Sequence, residues 1–251
     1  MKKVELNPTT LTYEFKEQII QLRVNLLFTG ADKKVVLVTS SMSGEGKSTI
    51  SLELAKSIAE SGKKTLIINA DMRKSDLAAK VKHKGQLLGL SHLLSGQNDI
   101  EEILYQVENS PLYMIFGGRI PPNPSELLAS KRMEKLIDWA KDYFDTIIID
   151  CPPVGMVADA LTLAPLADGA LVIVKAGKVP RKAVQSTVKM IKRTECPILG
   201  VVINQTGKQY KKYYGKKYGY GYGYGVESTE EIVDKEVMEV TEDKMTDKSS
   251  T

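Results

Sequence analysis

One segment of the chain combines a glycine-flanked lysine, two hydroxyl residues and a preceding run of β-branched residues, VVLVTSSMSGEGKSTI at 35–50. A buried strand that runs through such a loop into a helix presents backbone N–H groups at the helix N-terminus, where the helix dipole favours an anion. The spacing matches the phosphate-binding pattern G-x-x-x-x-G-K-[ST], except that Ser41 occupies the first position. The structural alternative is a helix N-cap with a glycine-rich lead-in. The chemistry that the pattern predicts is polyphosphate binding.

Each residue type in this loop has its own predicted role in binding a nucleoside triphosphate. Gly44 and Gly46 leave room for a phosphate group and for unusual backbone dihedral angles. Lys47 is expected to reach the β- and γ-phosphates, and the Ser48 hydroxyl is expected to bind Mg²⁺. The predicted ATP-binding residues of the loop are Ser43, Gly44, Glu45, Gly46, Lys47, Ser48 and Thr49.

Two acidic residues follow apolar strands elsewhere in the chain. The run TIIID ends in Asp150, which fits a carboxylate that holds Mg²⁺ through water, and LIINADMRKS contains Asp71 just past another strand. An aspartate that caps the following helix is the structural alternative for Asp71. Because ligands collect at the carboxyl ends of parallel strands, Asp71 and Asp150 are predicted to bind the metal together with Ser48. The predicted catalytic residues are therefore Lys47, Asp71 and Asp150.

Positioning these residues requires strands that are covered on both faces. Strands are predicted at 34–40, 65–69, 112–116, 146–150, 169–176 and 198–204. Helices are predicted at 13–28, 48–61, 125–142 and 179–194. This alternation predicts an α/β fold of the P-loop NTPase type, with a mostly parallel sheet and helices on both faces. Residues 1–12 are polar and are expected to be mobile.

The composition is that of a globular protein with an uneven distribution of charge. Its 251 residues, 42% of them hydrophobic, are enough for one large domain, and no apolar run reaches the roughly 18 residues that span a bilayer. The net charge of +4 combines a basic body with residues 226–251, which hold nine acids and three lysines. A basic body suits phosphate ligands, nucleic acid or an acidic membrane face, whereas the acidic end predicts a disordered tail.

The start of the chain does not resemble a secretion signal, and Cys151 and Cys196 lack disulfide or metal spacing, which favours a cytoplasmic protein.

Seven of the eleven tyrosines lie in the segment KQYKKYYGKKYGYGYGYG at 208–225. They are Tyr210, Tyr213, Tyr214, Tyr218, Tyr220, Tyr222 and Tyr224. Lysines interleaved with aromatic residues are typical of surfaces that hold single-stranded nucleic acid by stacking and phosphate contact. An inert low-complexity segment is a second possibility, and a series of phosphate acceptors is a third.

The motifs in combination resemble the bacterial tyrosine kinases of capsule and exopolysaccharide synthesis, in particular the cytoplasmic type found in Firmicutes. The resemblance covers residues 13–225 and is carried by SSMSGEGKST, IINADMRKS, GRIPPNPSELLAS, TIIIDCPPV, DGALVIVKAGKVPRKAV and the tyrosine-rich segment. It implies a kinase that uses ATP and Mg²⁺ and phosphorylates the seven tyrosines on a neighbouring copy. It also implies an adenine contact for Asn204 and supporting roles for Asn69 and Arg73 beside Asp71.

The same resemblance implies partners. These are further copies in a homo-oligomer, a separate transmembrane activator of the polysaccharide co-polymerase type and a cognate phosphotyrosine phosphatase, with no nucleic acid. The activator would hold the chain at the inner face of the plasma membrane. Two positions depart from the family pattern. Asn69 replaces the first acid of the second acidic motif, which leaves Asp71 as the candidate base, and Ile20 interrupts the E-x-x-R-x-x-R pattern that begins at Glu17.

The predicted organisation has four parts: an N-terminal helical segment for oligomer or partner contact at 1–30, a kinase core at 31–206, the tyrosine cluster at 207–225 and the acidic tail at 226–251. The first helix has no strongly basic face, which favours a contact with protein over one with a membrane.

The rival function is a switch ATPase of the septum- and chromosome-positioning type, which acts by ATP-controlled dimerisation. That type usually carries an extra lysine early in the loop, and TSSMS has none.

Overall fold

The computed structural model describes residues 2–30, 33–74, 76–83 and 85–206. The strands in this part of the chain are β1 Lys2–Leu6, β2 Val35–Ser40, β3 Thr65–Asn69, β4 Val81–Lys82, β5 Leu104–Val107, β6 Leu112–Ile115, β7 Thr146–Asp150, β8 Gly169–Lys175 and β9 Ile198–Asn204. The helices are α1 Tyr13–Leu27, α2 Lys47–Glu60, α3 Leu90–Leu94, α4 Ile100–Ile103, α5 Pro124–Leu128, α6 Lys131–Tyr143, α7 Asp159–Leu163 and α8 Arg181–Lys192. The predicted tyrosine cluster and acidic tail lie outside the described residues.

The strands form one mixed sheet in the order β4-β1-β5-β6-β3-β7-β2-β8-β9. Pairing is parallel except between β1 and β4 and between β5 and β6, which confirms the predicted, mostly parallel sheet. Strands β3, β7 and β2 are consecutive neighbours, and Asn69 pairs in register with Asp150. The order therefore brings the carboxyl ends of the three strands that carry the predicted site to one edge of the sheet.

The central strands are buried on both faces because helices cover both sides of the sheet. Every residue of β2, β3 and β7 is buried, as expected for continuous β-branched runs in a parallel sheet. Successive residues of β3 alternate between two cores, with Leu66 and Ile68 in one and Ile67 in the other. Helices α6 and α7 contribute to the first core, and α1 and α2 contribute to the second.

The N-terminal residues differ from the sequence prediction. The expectation that residues 1–12 are mobile is wrong for Lys2–Leu6, which form β1 between β4 and β5. Val4 is buried and Leu6 is partly buried against the same core, while Lys3 and Glu5 are exposed, so alternate side chains of the strand face inward. The predicted helix at 13–28 is confirmed as α1. No helix in the described ranges has both the length and the apolar character needed to cross a bilayer.

Candidate active site

The phosphate loop connects β2 to α2, and two of its glycines adopt left-handed backbone conformations. Gly44 has φ +79° and Gly46, the N-cap of α2, has φ +87°, a region where other residues are strained. A Cβ on Gly46 would lie 2.2 Å from Asn204 Nδ2, whereas a Cβ on Gly44 would meet no atom within 4 Å. Lys47 and Ser48 open the helix and are both buried. The loop thus has the helix N-terminus that an anion site requires.

Glu45 fastens this loop to the neighbouring strands. Its carboxylate accepts hydrogen bonds from the backbone N–H groups of Met42 and of Lys175, the latter at 3.1 Å. Asn204 Nδ2 donates to the Glu45 carbonyl at 2.9 Å, and the Gln205 N–H donates to Asn204 Oδ1 at 2.8 Å. The Glu45 side chain and the Asn204 amide therefore stabilise the loop itself. The adenine contact of Asn204 stays a prediction.

Lys47 and Asp71 form a buried ion pair. The Nζ atom of Lys47 lies 3.2 Å from Oδ2 of Asp71, and the two side chains are 10% and 7% exposed. The other carboxylate oxygen of Asp71 accepts a hydrogen bond from the Lys74 N–H at 3.1 Å. Charges that are removed from water are retained only when paired and hydrogen-bonded, as here. The structure thus brings the predicted phosphate-binding lysine and the predicted base together.

Asp150 ends β7 with a carboxylate that is almost fully buried. The Ser51 hydroxyl donates to Oδ1 at 3.2 Å, while Oδ2 has no hydrogen-bond partner within the described part of the chain. Burial raises the pKa of Asp150 to about 6, against the opposing effects of the Lys47 charge and of the Ser48 and Ser51 hydroxyls. A carboxylate oxygen without a partner beside an anion-binding loop suits Mg²⁺, which prefers oxygen ligands.

Asn69 lies beside Asp150 and also has an unpaired polar atom. Its Oδ1 accepts a hydrogen bond from the Asp71 N–H at 3.0 Å, while Nδ2 is buried and, among the residues that the structure describes, has no partner. Buried polar atoms without partners are rare and suggest a ligand. No group of three or more His, Cys, Asp or Glu in the described ranges could hold a metal. Mg²⁺ commonly takes one or two carboxylates and completes its shell with nucleotide phosphates and water, which is the donor set that Asp71 and Asp150 offer.

Arg73 makes a paired contact with Asp159 at the same edge of the sheet. Its Nε and Nη2 atoms donate to the two carboxylate oxygens of Asp159 at 3.1 and 3.3 Å. Asp159 has no exposed surface, whereas the Arg73 side chain is 40% exposed. This planar, two-point geometry is the strong form of an arginine–carboxylate pair. The guanidinium of Arg73 is thus held at a fixed place near Asp71.

The chain is similar in sequence to known proteins. A family model described as an AAA domain matches residues 33–198. Tyrosine-protein kinase CpsD from Streptococcus agalactiae is 36% identical over 193 residues, which cover 77% of this chain and 84% of CpsD. The chain belongs to the bacterial tyrosine-kinase family. The resemblance predicted from the sequence motifs is therefore confirmed.

Kinases and other ATPases of known structure have the same fold as this chain. The kinase domain of Escherichia coli tyrosine kinase ETK has a TM-score of 0.72 and 28% identity, covering 84% of this chain and 80% of that domain. The cell division ATPase MinD of Pyrococcus furiosus has a TM-score of 0.60 and 22% identity, covering 70% of this chain and 73% of MinD. The likeness to MinD shows the fold alone. The predicted P-loop NTPase-like fold of this tyrosine kinase is confirmed.

The structure gathers some of the predicted site residues more closely than others. Five of them surround the carboxyl ends of β3 and β7 and the start of α2: Lys47, Ser48, Asn69, Asp71 and Asp150. Ser43 is exposed on the loop, and the Thr49 hydroxyl accepts a hydrogen bond from Lys80 Nζ at 3.4 Å. The seven predicted acceptor tyrosines lie outside the described residues.

Four residues near the site of this kinase were missed by sequence reasoning. They are Ser51, Lys80, Ser125 and Asp159. Ser51 lies one helical turn after Lys47, so a helix projection could have placed it beside Asp150. Asp159 and Ser125 contact Arg73 across 86 and 52 residues of sequence, which no local pattern predicts.

Proposed function

We propose that this tyrosine kinase transfers the γ-phosphoryl group of ATP to its own C-terminal tyrosine cluster, and that it does so between copies. The observation that carries the proposal is the 3.2 Å pair of Lys47 and Asp71 beside the phosphate loop. Asp150 stands next to the pair with an unpaired carboxylate oxygen. The site therefore combines a phosphate-binding cation, a base and a metal ligand, and the relatives supply the class of acceptor.

The proposed chemistry begins with the phenol. Its pKa is near 10, so the hydroxyl must lose its proton to a nearby base as it attacks. Asp71 accepts that proton. The phenol oxygen forms a bond to the γ-phosphorus, the bond from phosphorus to the β–γ bridging oxygen breaks, and ADP leaves. Lys47 stabilises the charge on the phosphoryl oxygens. Mg²⁺, held by Ser48, Asp71 and Asp150, would neutralise phosphate charge.

We place the acceptors in the cluster at 207–225. A glycine-rich chain of about 15 residues has a root-mean-square reach of roughly 20 Å. Since β9 ends at Asn204, next to the phosphate loop, such a reach suffices for a tyrosine to enter the site of an adjacent copy. The acceptors are then Tyr210, Tyr213, Tyr214, Tyr218, Tyr220, Tyr222 and Tyr224.

Transfer between copies is tested by mixing two complementary variants. One carries Lys47→Met with an intact cluster, and the other carries an intact site with all seven tyrosines changed to phenylalanine. We expect Mg-ATP to produce phosphotyrosine on the Lys47→Met chain in the mixture, with none on either variant alone. If the mixture stays unlabelled while the unmodified protein is labelled, transfer takes place within one chain.

We further propose that phosphorylation controls assembly. Each phosphate adds about −1.5 to −2 charges, and the cluster contains five lysines, Lys208, Lys211, Lys212, Lys216 and Lys217. Several phosphates therefore reverse the sign of its charge, which would disperse the homo-oligomer and weaken contact with the membrane partner. A phosphatase would restore the starting state. The idea fails if the seven-phenylalanine variant still alternates between assembly and dispersal with ATP.

The proposed contact for copies or for the activator lies on α1. Large apolar side chains are exposed along and just after this helix: Tyr13, Ile20, Val24, Leu27 and Phe28. Arg23 donates to the Ser57 carbonyl at 2.7 Å and so is used within its own chain. Apolar surface grouped in this way marks a protein contact. We propose that this exposed apolar surface, within residues 1–30, is the contact for other copies or for the activator. We also propose that a transmembrane activator of the co-polymerase type holds the kinase at the inner face of the plasma membrane.

The biological output that we propose is regulation of capsule or exopolysaccharide polymerisation and export. The rival, a switch ATPase that acts by dimerisation, shares the fold but has less support, because the MinD likeness concerns the fold alone. A phosphotyrosine blot separates the two. ATP turnover without phosphotyrosine, even with the activator's cytoplasmic end added, would favour the switch.

A further inference from the structure

A three-residue cluster at the edge of the site joins Arg73, Asp159 and Ser125. Besides its two bonds to Asp159, Arg73 Nη2 donates to Ser125 Oγ at 3.1 Å. The Ser125 hydroxyl in turn donates to Asp159 Oδ1 at 2.5 Å. Both carboxylate oxygens of Asp159 therefore accept hydrogen bonds, and Arg73 donates its hydrogen bonds through Nε and Nη2. The cluster fixes the plane of the guanidinium rather than merely neutralising a charge.

The three residues come from three separate segments of the chain. Arg73 lies two residues after Asp71, in the segment that follows β3. Asp159 is the first residue of α7 and follows the segment that begins after Asp150. Ser125 lies in the first turn of α5. The cluster consequently connects the segment of the proposed base with the segment that follows the proposed metal ligand.

We propose that Asp159 and Ser125 are positioning residues, which hold Arg73 and through it the segment that carries Asp71 in the geometry needed for phosphoryl transfer. This inference rests on the proposed kinase function. Asp71 bonds to Asn69 and Lys74 within its own stretch of chain and to Lys47 on α2, the cation for which a bound triphosphate would compete. The Arg73–Asp159 pair ties that stretch to a different part of the fold.

Replacing Asp159 or Ser125 should lower the rate of phosphoryl transfer rather than the affinity for the nucleotide. The phosphate loop has its own anchors, since Glu45 and Asn204 hold it without help from Arg73. Misplacing a catalytic group by about 1 Å costs roughly 100-fold in rate. A purely structural pair would instead lower the unfolding temperature and leave the activity of each folded molecule unchanged.

The experiment measures initial rates of phosphotyrosine formation by the full chain over a range of Mg-ATP concentrations, together with thermal unfolding. We expect Asp159→Asn to lower kcat by about 10- to 100-fold while KM for ATP changes by less than about threefold. Asp76→Asn is the matched control, because Asp76 forms an exposed ion pair with Lys74 in the same segment. Its kcat should be unchanged.

Variants at two further positions, Ser125 and Arg73, keep the test decisive if Asp159→Asn does not fold. Ser125→Ala should lower kcat by about threefold or more, whereas Ser125→Thr, which keeps the hydroxyl, should retain it. Arg73→Lys, which loses the two-point geometry, should lower kcat, and adding Asp159→Asn to it should cost little more.

The outcomes distinguish this inference from the proposed function. Folded variants with unchanged kcat, a loss confined to KM, or effects of Arg73→Lys and Asp159→Asn that multiply would overturn the positioning role alone. An unmodified protein that binds Mg-ATP but makes no phosphotyrosine would overturn the proposed function, and this inference with it.

Discussion

The Nζ atom of Lys47 lies 3.2 Å from Oδ2 of Asp71, with both side chains almost fully buried. Lys47 opens the helix after the phosphate loop, and Asp71 follows the neighbouring strand β3. The pair therefore joins the group that binds phosphate to the group that we propose as the base. A triphosphate entering the loop would bring its own negative charge to Lys47 and compete with Asp71 for that cation.

Replacing Lys47 by methionine should abolish the reaction. The change removes the cation and leaves the Asp71 carboxylate buried without its partner, so we expect phosphotyrosine formation to fall by about 100-fold or more. Lys56→Met is the control, since Lys56 lies on the same helix and pairs with Glu53 at 2.8 Å. A Lys47→Met protein that is labelled at the normal rate would remove Lys47 from the mechanism.

Asp150 should lower the stability of the ligand-free protein at neutral pH. Burial raises its pKa from 3.8 to about 6, so the folded protein binds this proton more tightly than the unfolded chain does. Below about pH 3.8 the carboxyl is neutral in both states. The penalty grows as pH rises towards 6 and is complete above it, at about 3 kcal/mol.

Asp150→Asn should therefore raise the free energy of unfolding in the absence of Mg²⁺ by about 1 to 3 kcal/mol at pH 7.5, with little difference at pH 4. Urea unfolding at both pH values measures this, with the exposed Asp76→Asn as the control. The same variant should lose Mg²⁺-dependent activity. Equal stability of the variant and the unmodified protein at both pH values would show that burial of this charge has no cost.

Asn69→Asp should strengthen Mg²⁺ binding. The change restores the acid of the family pattern and adds a carboxylate beside Asp71 and Asp150, so we expect about tenfold tighter Mg²⁺ binding and lower stability without the ion. Calorimetric titration with Mg²⁺ and a non-hydrolysable ATP analogue measures the affinity. Asn109→Asp, an exposed turn residue at the amino end of β6, is the control. Unchanged affinity would place position 69 outside the metal site.

Gly46→Ala should damage the phosphate loop far more than Gly44→Ala. Both glycines have positive φ, so either change costs about 1 kcal/mol in backbone strain. Only the Cβ at position 46 meets the Asn204 amide, at 2.2 Å, and it would displace the bond from Asn204 to Glu45. Thermal unfolding of the ligand-free variants gives the comparison, and combining Gly46→Ala with Asn204→Ala should recover part of the loss. Equal effects at the two glycines would contradict the predicted collision.

The sequence predicted the central part of the fold because its signals are local and strong. Strands β2, β3 and β7 are continuous β-branched runs, buried on both faces, and the phosphate loop fixes the spacing of Lys47 from the strand before it. Strand β1 escaped prediction because its alternation is very short, with only Val4 and Leu6 facing the core among polar neighbours.

The contacts that hold the site together could not be predicted in the same way. Asn204 contacts Glu45 across 159 residues, and Asp159 contacts Arg73 across 86. Such pairs depend on the order of strands in the sheet, which hydrophobic periodicity does not encode. The motif residues were therefore identifiable from the sequence, whereas the residues that position them became visible only in the folded chain.

Mass-spectrometric mapping of phosphotyrosine after incubation with Mg-ATP tests the central claim most directly. The purified chain is incubated alone and with the cytoplasmic end of a candidate activator, beside the Lys47→Met variant. We predict phosphate on several tyrosines between Tyr210 and Tyr224 in the unmodified protein, and none in the variant. Hydrolysis of ATP with no phosphate on any of the eleven tyrosines, in the presence of the activator, would contradict the account.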